Sequence, residues 1–155
     1  MKSIKTFLLL ILVASITSCQ FDINLGYENG NGNVITQERA VNQDFDKVRG
    51  SSGINVYLRE GSENKIVVEA DENLIDLIET TISNGKLTIR SSKNIGRSKA
   101  KKVHVTFIKL SSIEASSGAD VIGKSVIKNE TISLDCSSGA DLEVAGTQTW
   151  YWDAA

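Results

Sequence analysis

The sequence contains no proline, and only 6% of its 155 residues are aromatic. Missing proline, with Val, Ile, Thr and Ser abundant, favours strands over long helices. Scarce aromatics leave a core to be built from aliphatic side chains. Neither sign of charge dominates: 17 basic residues face 19 acidic ones, a net charge of −2. That balance gives no electrostatic reason to expect nucleic acid as a partner. Histidine occurs once, at His104, without a second histidine for metal binding or a triad. It reads as an outward residue between Val103 and Val105. Cysteine occurs twice, and the two do not read as a disulfide. Cys19 sits at a processing site. Cys136 stands where other copies of a repeat carry Ala115 and Gly50, so it reads as a small buried thiol. No basic neighbour in the sequence would activate it.

Long apolar runs are missing as well. The run from Thr6 to Ile16 is too short to span a bilayer comfortably, and with Lys2 and Lys5 ahead of it has the form of a secretory signal. It ends Ile16-Thr17-Ser18-Cys19, which resembles the bacterial lipobox. The resemblance implies cleavage before Cys19, diacylglycerol on its sulfur and an acyl chain on its nitrogen. Each buried methylene contributes roughly 0.8 kcal/mol, so more than one chain makes anchoring stable. Gln20, not Asp, follows the cysteine. The familiar inner-membrane retention signal is therefore absent, and the reading leans to the outer membrane. Residues 1–18 are expected to be a lipoprotein signal peptide. Residues 19–33 are expected to be a flexible tether, because the Asn-Gly stretch from Asn29 to Asn33 has little apolar surface to bury. A glycine-rich phosphate cradle would need a lysine and a strand–helix context that this stretch lacks.

What the sequence does have is a phrase stated three times. Ser116-Ser117-Gly118-Ala119-Asp120-Val121 recurs 21 residues later as Ser137-Ser138-Gly139-Ala140-Asp141-Leu142. A looser copy, Ser51-Ser52-Gly53-Ile54-Asn55-Val56, lies 65 residues upstream of the first. The residues before each copy match too: Ile113-Glu114-Ala115, Leu134-Asp135-Cys136 and Val48-Arg49-Gly50. Self-similarity at such a period is the signature of stacked rungs, each burying its apolar residues on the next. The expected fold is thus an all-β solenoid over residues 34–155. Ile113 should stack on Leu134, Ala115 on Cys136, and Val121 on Leu142. Gly53, Gly118 and Gly139, with Ser117 and Ser138, would form a recurring corner where side chains crowd or φ is positive. Asp120 and Asp141 would close it by bonding backbone N–H groups, with Asn55 at the matching place. In register, Asp120 and Asp141 lie roughly 4.8 Å apart. A calcium ion could relieve their repulsion. Solvation and local hydrogen bonds are the simpler answer, and the phrase supplies no further carboxylate, so no metal or other cofactor is expected.

Elsewhere the pattern is coarser. Ile54, Val56 and Leu58 alternate with Asn55, Tyr57 and Arg59, the period of a half-buried strand. Residues 61–64 read as a turn and residues 66–68 as a strand. Leu74, Ile75, Leu77 and Ile78 fit either one helical turn or an irregular corner. Asn84-Gly85, between residues 80–83 and 86–89, is a strong hairpin signal. Residues 91–102 carry Lys93, Arg97, Lys99, Lys101 and Lys102 and read as a solvated loop guarding a sheet edge. No aromatics interleave these cations to stack nucleobases. Short strands are expected at 103–107, 111–115, 120–122, 125–127, 131–136 and 141–144. Trp152-Asp153-Ala154-Ala155 begins another copy of the phrase, so a chain truncated at the C-terminus, or a partner over that end, is expected.

Together these residues resemble the head GIN domain family of auto-transporter adhesins. The resemblance rests on Gly53-Ile54-Asn55 followed by Val56-Tyr57-Leu58, on Arg39-Ala40-Val41 and on Asp44-Phe45-Asp46-Lys47-Val48. It rests equally on Asp71-Glu72-Asn73-Leu74, on residues 84–89 and on the Ser-Gly-Ala-Asp repeats. It implies a right-handed, single-stranded β-helix in a secreted or lipid-anchored envelope protein, with further rungs beyond Ala155. It supplies no catalytic residues.

The function expected is non-enzymatic. A lipoprotein anchored through Cys19 would present a repetitive surface to an envelope glycan, to a protein, or to another copy of itself through the open solenoid end. A purely structural or self-assembling envelope protein is the second reading. An enzyme acting on polysaccharide is the third, by fold-level analogy alone.

Overall fold

The computed structural model describes residues 26–129 and 131–146. The signal peptide, Cys19, and the closing copy of the repeat with Trp150, Tyr151 and Trp152 lie outside them. The described chain runs β1 (Val34–Arg39), β2 (Lys47–Gly50), β3 (Asn55–Glu60), β4 (Lys65–Asp71), a 3₁₀ helix (Glu72–Leu77), β5 (Ile78–Ser83) and β6 (Lys86–Ser91). It continues through β7 (Lys101–Phe107), β8 (Ser112–Ala115), β9 (Asp120–Ile127), β10 (Ser133–Cys136) and β11 (Asp141–Gly146). These strands form two sheets, ordered β1-β4-β7-β3-β9-β11 and β10-β8-β2-β6-β5. The inward residues of both sheets make one aliphatic core. Val56, Leu58 and Val103 from the first meet Leu87, Ile89 and Ile113 from the second, all fully buried. In β3 and β4 burial alternates with the strand period, as one-sided sheets require.

The register within the repeat is the one its spacing gives. Leu134 pairs with Ile113 and Cys136 with Ala115. Leu142 pairs with Val121 and Asp141 with Asp120. The looser copy lies against the first copy, Gly50 opposite Ala115 and Asn55 opposite Asp120. Each Ser-Ser-Gly corner turns the chain from the second sheet to the first. Ser52 and Gly53 have φ of 61° and 68°, Ser117 and Gly118 51° and 70°, Ser138 and Gly139 53° and 69°. Two consecutive positive φ values are the geometry of a type I′ turn. The corners also stack: Gly53 N donates to Ser117 O at 3.0 Å, and Gly118 N to Ser138 O at 3.2 Å.

The expected single-stranded β-helix is nonetheless not the architecture. Both sheets are mixed: β1/β4, β4/β7 and β5/β6 pair antiparallel. Space and sequence order also part company, since β3 lies between β7 and β9, and β2 between β6 and β8. The physical reason is that only three copies of the phrase exist. The residues between the first and second copies return to pair on the far side of β2 and β3. There they form hairpin-like antiparallel ladders, and a solenoid of successive parallel rungs does not arise.

Several local expectations change with it. Residues 120–122 and 125–127 belong to one strand, β9. Leu74 and Ile75 are buried from a 3₁₀ helix, which decides between the two readings of that corner. Cys136 is exposed, because β10 is the outermost strand of its sheet among the described residues. Its thiol donates to Ala140 O at 3.0 Å.

The Asn-Gly stretch is fastened where a spacer was expected. Gly30 N donates to Arg97 O at 2.8 Å and Glu28 N to Asn94 O at 2.8 Å. Gly32 N donates to Asp71 Oδ2 at 2.8 Å. Asp71 is fully buried, and its Oδ1 accepts from Lys99 N at 3.0 Å and Ala100 N at 2.8 Å. Burial alone would push its carboxyl up. The N–H donors of Ala100, Gly32 and Lys99 outweigh that and hold it below the usual aspartate range. Gly30 must lack a side chain here, since a Cβ would overlap Asp71 Oδ2. Apolar burial is therefore not what orders this segment; a buried carboxylate and backbone hydrogen bonds are.

Candidate functional site

The outward face of the six-stranded sheet carries a cluster built across three strands. Tyr57 and Arg59 point outward from β3 because Val56 and Leu58 point inward. Lys102, His104 and Thr106 do the same on β7 around Val103 and Val105. The parallel β3/β7 register sets Tyr57 opposite His104 and Arg59 opposite Thr106. The Tyr57 and His104 rings stack, with centroids 5.3 Å apart and planes 18° from parallel.

Glu69 on β4 fixes the histidine. His104 Nε2 lies 2.9 Å from Glu69 Oε2, and Lys102 Nζ donates to Glu69 Oε1 at 2.8 Å. An ionised carboxylate can only accept, so the proton of that bond sits on Nε2. The hydrogen bond from Lys102, followed by that from His104, holds the Glu69 carboxyl below the usual glutamate range against the opposing effect of burial. Glu69 in turn raises Lys102 above the usual lysine range. Both carboxylate oxygens of Glu69 are engaged.

Lys124 reaches the same cluster through an irregularity in β9. Ile122 pairs with Glu143 and Val126 with Ala145, so Gly123, Lys124 and Ser125 stand opposite Val144 alone. Such a bulge re-aims side chains. The Lys124 ammonium lies 4.9 Å from the Tyr57 ring centroid, within cation–π reach. Ser125 Oγ accepts from Glu60 N at 2.7 Å, tying the bulge to β3. Tyr57, Arg59, His104, Val105, Thr106 and Lys124 line a pocket of about 230 Å³.

Pockets of about 290 and 370 Å³ lie near Ala40, at the edge strands β1 and β5. Their cations are used internally. Lys65 pairs with Glu38 at 2.8 Å, and Arg39 donates to Ile75 O at 2.7 Å. Arg59 and Lys124, by contrast, have no ion pair among the described residues.

The residues singled out in the sequence lie elsewhere. Gly53, Ser117, Gly118, Ser138 and Gly139 form the stacked corners. Asn55, Asp120 and Asp141 occupy successive positions across β3, β9 and β11. Neither aspartate makes a side-chain hydrogen bond or ion pair among the described residues. No group of three His, Cys, Asp or Glu placed to hold a metal ion occurs among the described residues. The column offers two carboxylates and one amide. In the basic loop, Lys93 faces Glu28 at 3.9 Å and Lys102 is held by Glu69, so these cations do not converge on one point. Tyr57, Arg59 and Lys124 were not singled out in the sequence. Strand alternation marks Tyr57 and Arg59 as outward, but not which strand stands beside them.

Several solved structures share this fold. A "putative adhesin" from Bacteroides fragilis NCTC 9343 matches with a TM-score of 0.70 at 17% identity, over 78% of this chain and 57% of its own. A "putative lipid binding protein" from Parabacteroides distasonis ATCC 8503 matches with a TM-score of 0.67 at 20% identity, over 79% and 53%. A "putative adhesin" from Parabacteroides merdae ATCC 43184 matches with a TM-score of 0.62 at 23% identity, over 71% and 46%. The chain thus spans about half the length of these structures. Among curated protein sequences none matches it significantly. The family model described as "putative auto-transporter adhesin, head GIN domain" matches residues 44–149, more than half of the chain, and the protein belongs to that family.

Proposed function

We propose that this protein is a non-enzymatic, lipid-anchored envelope protein that binds a glycan or protein ligand through the outward face of its six-stranded sheet. Membership of an adhesin family supports a binding role at the envelope or outside the cell. The observation that carries the choice of face is the Tyr57–His104 pair with Arg59 and Lys124 beside it. Stacked rings and cations free of ion pairs are groups a ligand can use. The Ser-Ser-Gly corners and the Asn55, Asp120 and Asp141 positions serve architecture in this reading. Cys19 supplies the anchor, and the outer membrane is the proposed location.

The binding test uses the chain from Cys19 onward with Cys19→Ser, screened against envelope glycans and envelope protein extracts. Saturable binding that is lost in the Tyr57→Ala, His104→Ala double variant is expected. Absence of binding, with concentration-dependent self-association in its place, would overturn the reading in favour of an assembly role. For the anchor, wild-type chain should incorporate a labelled fatty acid and fractionate with the outer membrane, and Cys19→Ala should do neither. Equal labelling of both would remove Cys19 as the anchor.

A further inference from the structure

We infer that the pocket beside Tyr57 binds the anionic group, carboxylate or phosphate, of an acidic glycan. This inference rests on the binding role proposed above and names the chemistry of the same face. Its first support is charge. Arg59 and Lys124 both line the pocket, and no carboxylate does. Glu69 is the acid bonded to His104, and each of its oxygens already accepts a hydrogen bond. Elsewhere on the surface Lys65, Lys86, Arg90 and Lys102 each have a carboxylate partner. Two cations left without one, in a shared concavity, hold a local positive potential that an anion would neutralise. Arg adds a planar fork that fits two oxygens of a carboxylate or phosphate.

The second support is shape and surface. The volume of about 230 Å³ falls below the roughly 300–1,000 Å³ typical of sites that enclose a whole drug-sized ligand. A pocket of this size takes one substituent or one ring of a larger molecule that continues over the sheet. Thr106 gives a hydroxyl at its wall, and the His104 imidazole, with 47% of its side chain exposed, gives a flat surface beside it. A cationic cup flanked by a planar ring suits a sugar that carries an acid. A nucleic-acid strand would need a series of such cations, and the chain is acidic overall, with a net charge of −2.

The third support is rigidity. Tyr57 lies between His104 and Lys124; His104 is held by Glu69, and the bulge carrying Lys124 is held by the Ser125–Glu60 bond. The groups that would meet the anion are thus set before it arrives, which lowers the ordering cost of binding.

The test titrates the Cys19→Ser chain, by calorimetry or amide chemical shifts, with four probes. These are a uronate oligosaccharide, a sugar phosphate, a neutral oligosaccharide of equal length, and vesicles containing phosphatidylglycerol. The expected result is that one or both acidic sugars bind about tenfold or more tightly than the neutral one, a margin of roughly 1.4 kcal/mol. That binding should weaken as salt rises. Arg59→Gln and Lys124→Gln should each remove most of the margin, and Lys124→Arg should retain it. The two acidic probes separate carboxylate from phosphate. Equal affinity for the neutral sugar would overturn the anionic assignment while leaving glycan binding intact. Binding to vesicles but to neither soluble acid would overturn it in favour of a lipid surface. Both glutamine variants binding like the wild type would remove this pocket as the site. Failure of every probe, together with failure of the envelope-extract screen, would overturn the binding role as well.

Discussion

His104 lies flat against Tyr57 across the parallel β3/β7 pair, with ring centroids 5.3 Å apart and planes 18° from parallel. The two residues are 47 positions apart in the chain. Their contact exists only because β7 crosses back to the side of β3 away from the repeat. It joins a residue fixed by Glu69 to a ring that faces Lys124, so three strands contribute to one small surface.

The pair should be energetically coupled. Stacked aromatic pairs contribute roughly 0.5–1.5 kcal/mol beyond their burial, and exposure puts this one at the low end. In urea unfolding, Tyr57→Ala and His104→Ala should therefore show a coupling of about 0.5 kcal/mol in a double-mutant cycle. Strict additivity would mean that the stacking contributes nothing in solution.

Asp71→Asn should be among the more damaging changes outside the apolar core. The carboxylate accepts from Gly32, Lys99 and Ala100. An amide keeps one oxygen and turns an NH₂ group toward a buried donor, leaving it unpaired at a cost of about 1–3 kcal/mol. Amide hydrogen exchange at these three residues should speed up more than at the Ser-Ser-Gly corners. Unchanged exchange there would contradict the assigned bonds.

The pH dependence follows from two depressed carboxyl groups. Asp71 and Glu69 titrate lower in the folded chain than in the unfolded one. At low pH the unfolded state therefore binds more protons. The stability from these groups is complete above the unfolded values and lost as pH falls through the folded ones. The urea midpoint should be flat from neutral pH to about pH 5 and drop below about pH 4. Asp71→Asn should make that drop shallower, and an equally steep drop would assign it to other groups.

Two glycine substitutions should fail in different ways. Gly30→Ala places a Cβ on Asp71 Oδ2, an atom held in place by hydrogen bonds. It should release residues 26–33 to limited proteolysis. Gly118 has open space around it but a φ of 70°. Gly118→Ala should cost about 1–2 kcal/mol from the left-handed backbone alone, read as a lower melting temperature with residues 26–33 still protected. Similar proteolysis of the two variants would argue against the contact between Gly30 and Asp71.

The sequence by itself determined the strand content, the Asn84-Gly85 hairpin and the stacking of Ile113 on Leu134 and Val121 on Leu142. Alternation and a spacing of 21 residues carry that information locally, because a strand buries every second residue and a repeated rung must pair with its copy. The Ser-Ser-Gly corners were legible in the same way. What surrounds the repeat was decided only by the tertiary structure. Nothing local says that β6 and β7 add on the far side of β2 and β3, or that β1, β4 and β5 run antiparallel. Those choices follow from which exposed edge and which apolar face remain to be covered once the repeat has stacked. The order of Asn29 to Asn33 was hidden for a related reason: its partner is the carboxylate of Asp71, 39 residues beyond Gly32. The candidate site was hidden likewise. Tyr57, His104 and Lys124 each read as ordinary surface residues, and only strand order and a bulge opposite Val144 bring them together.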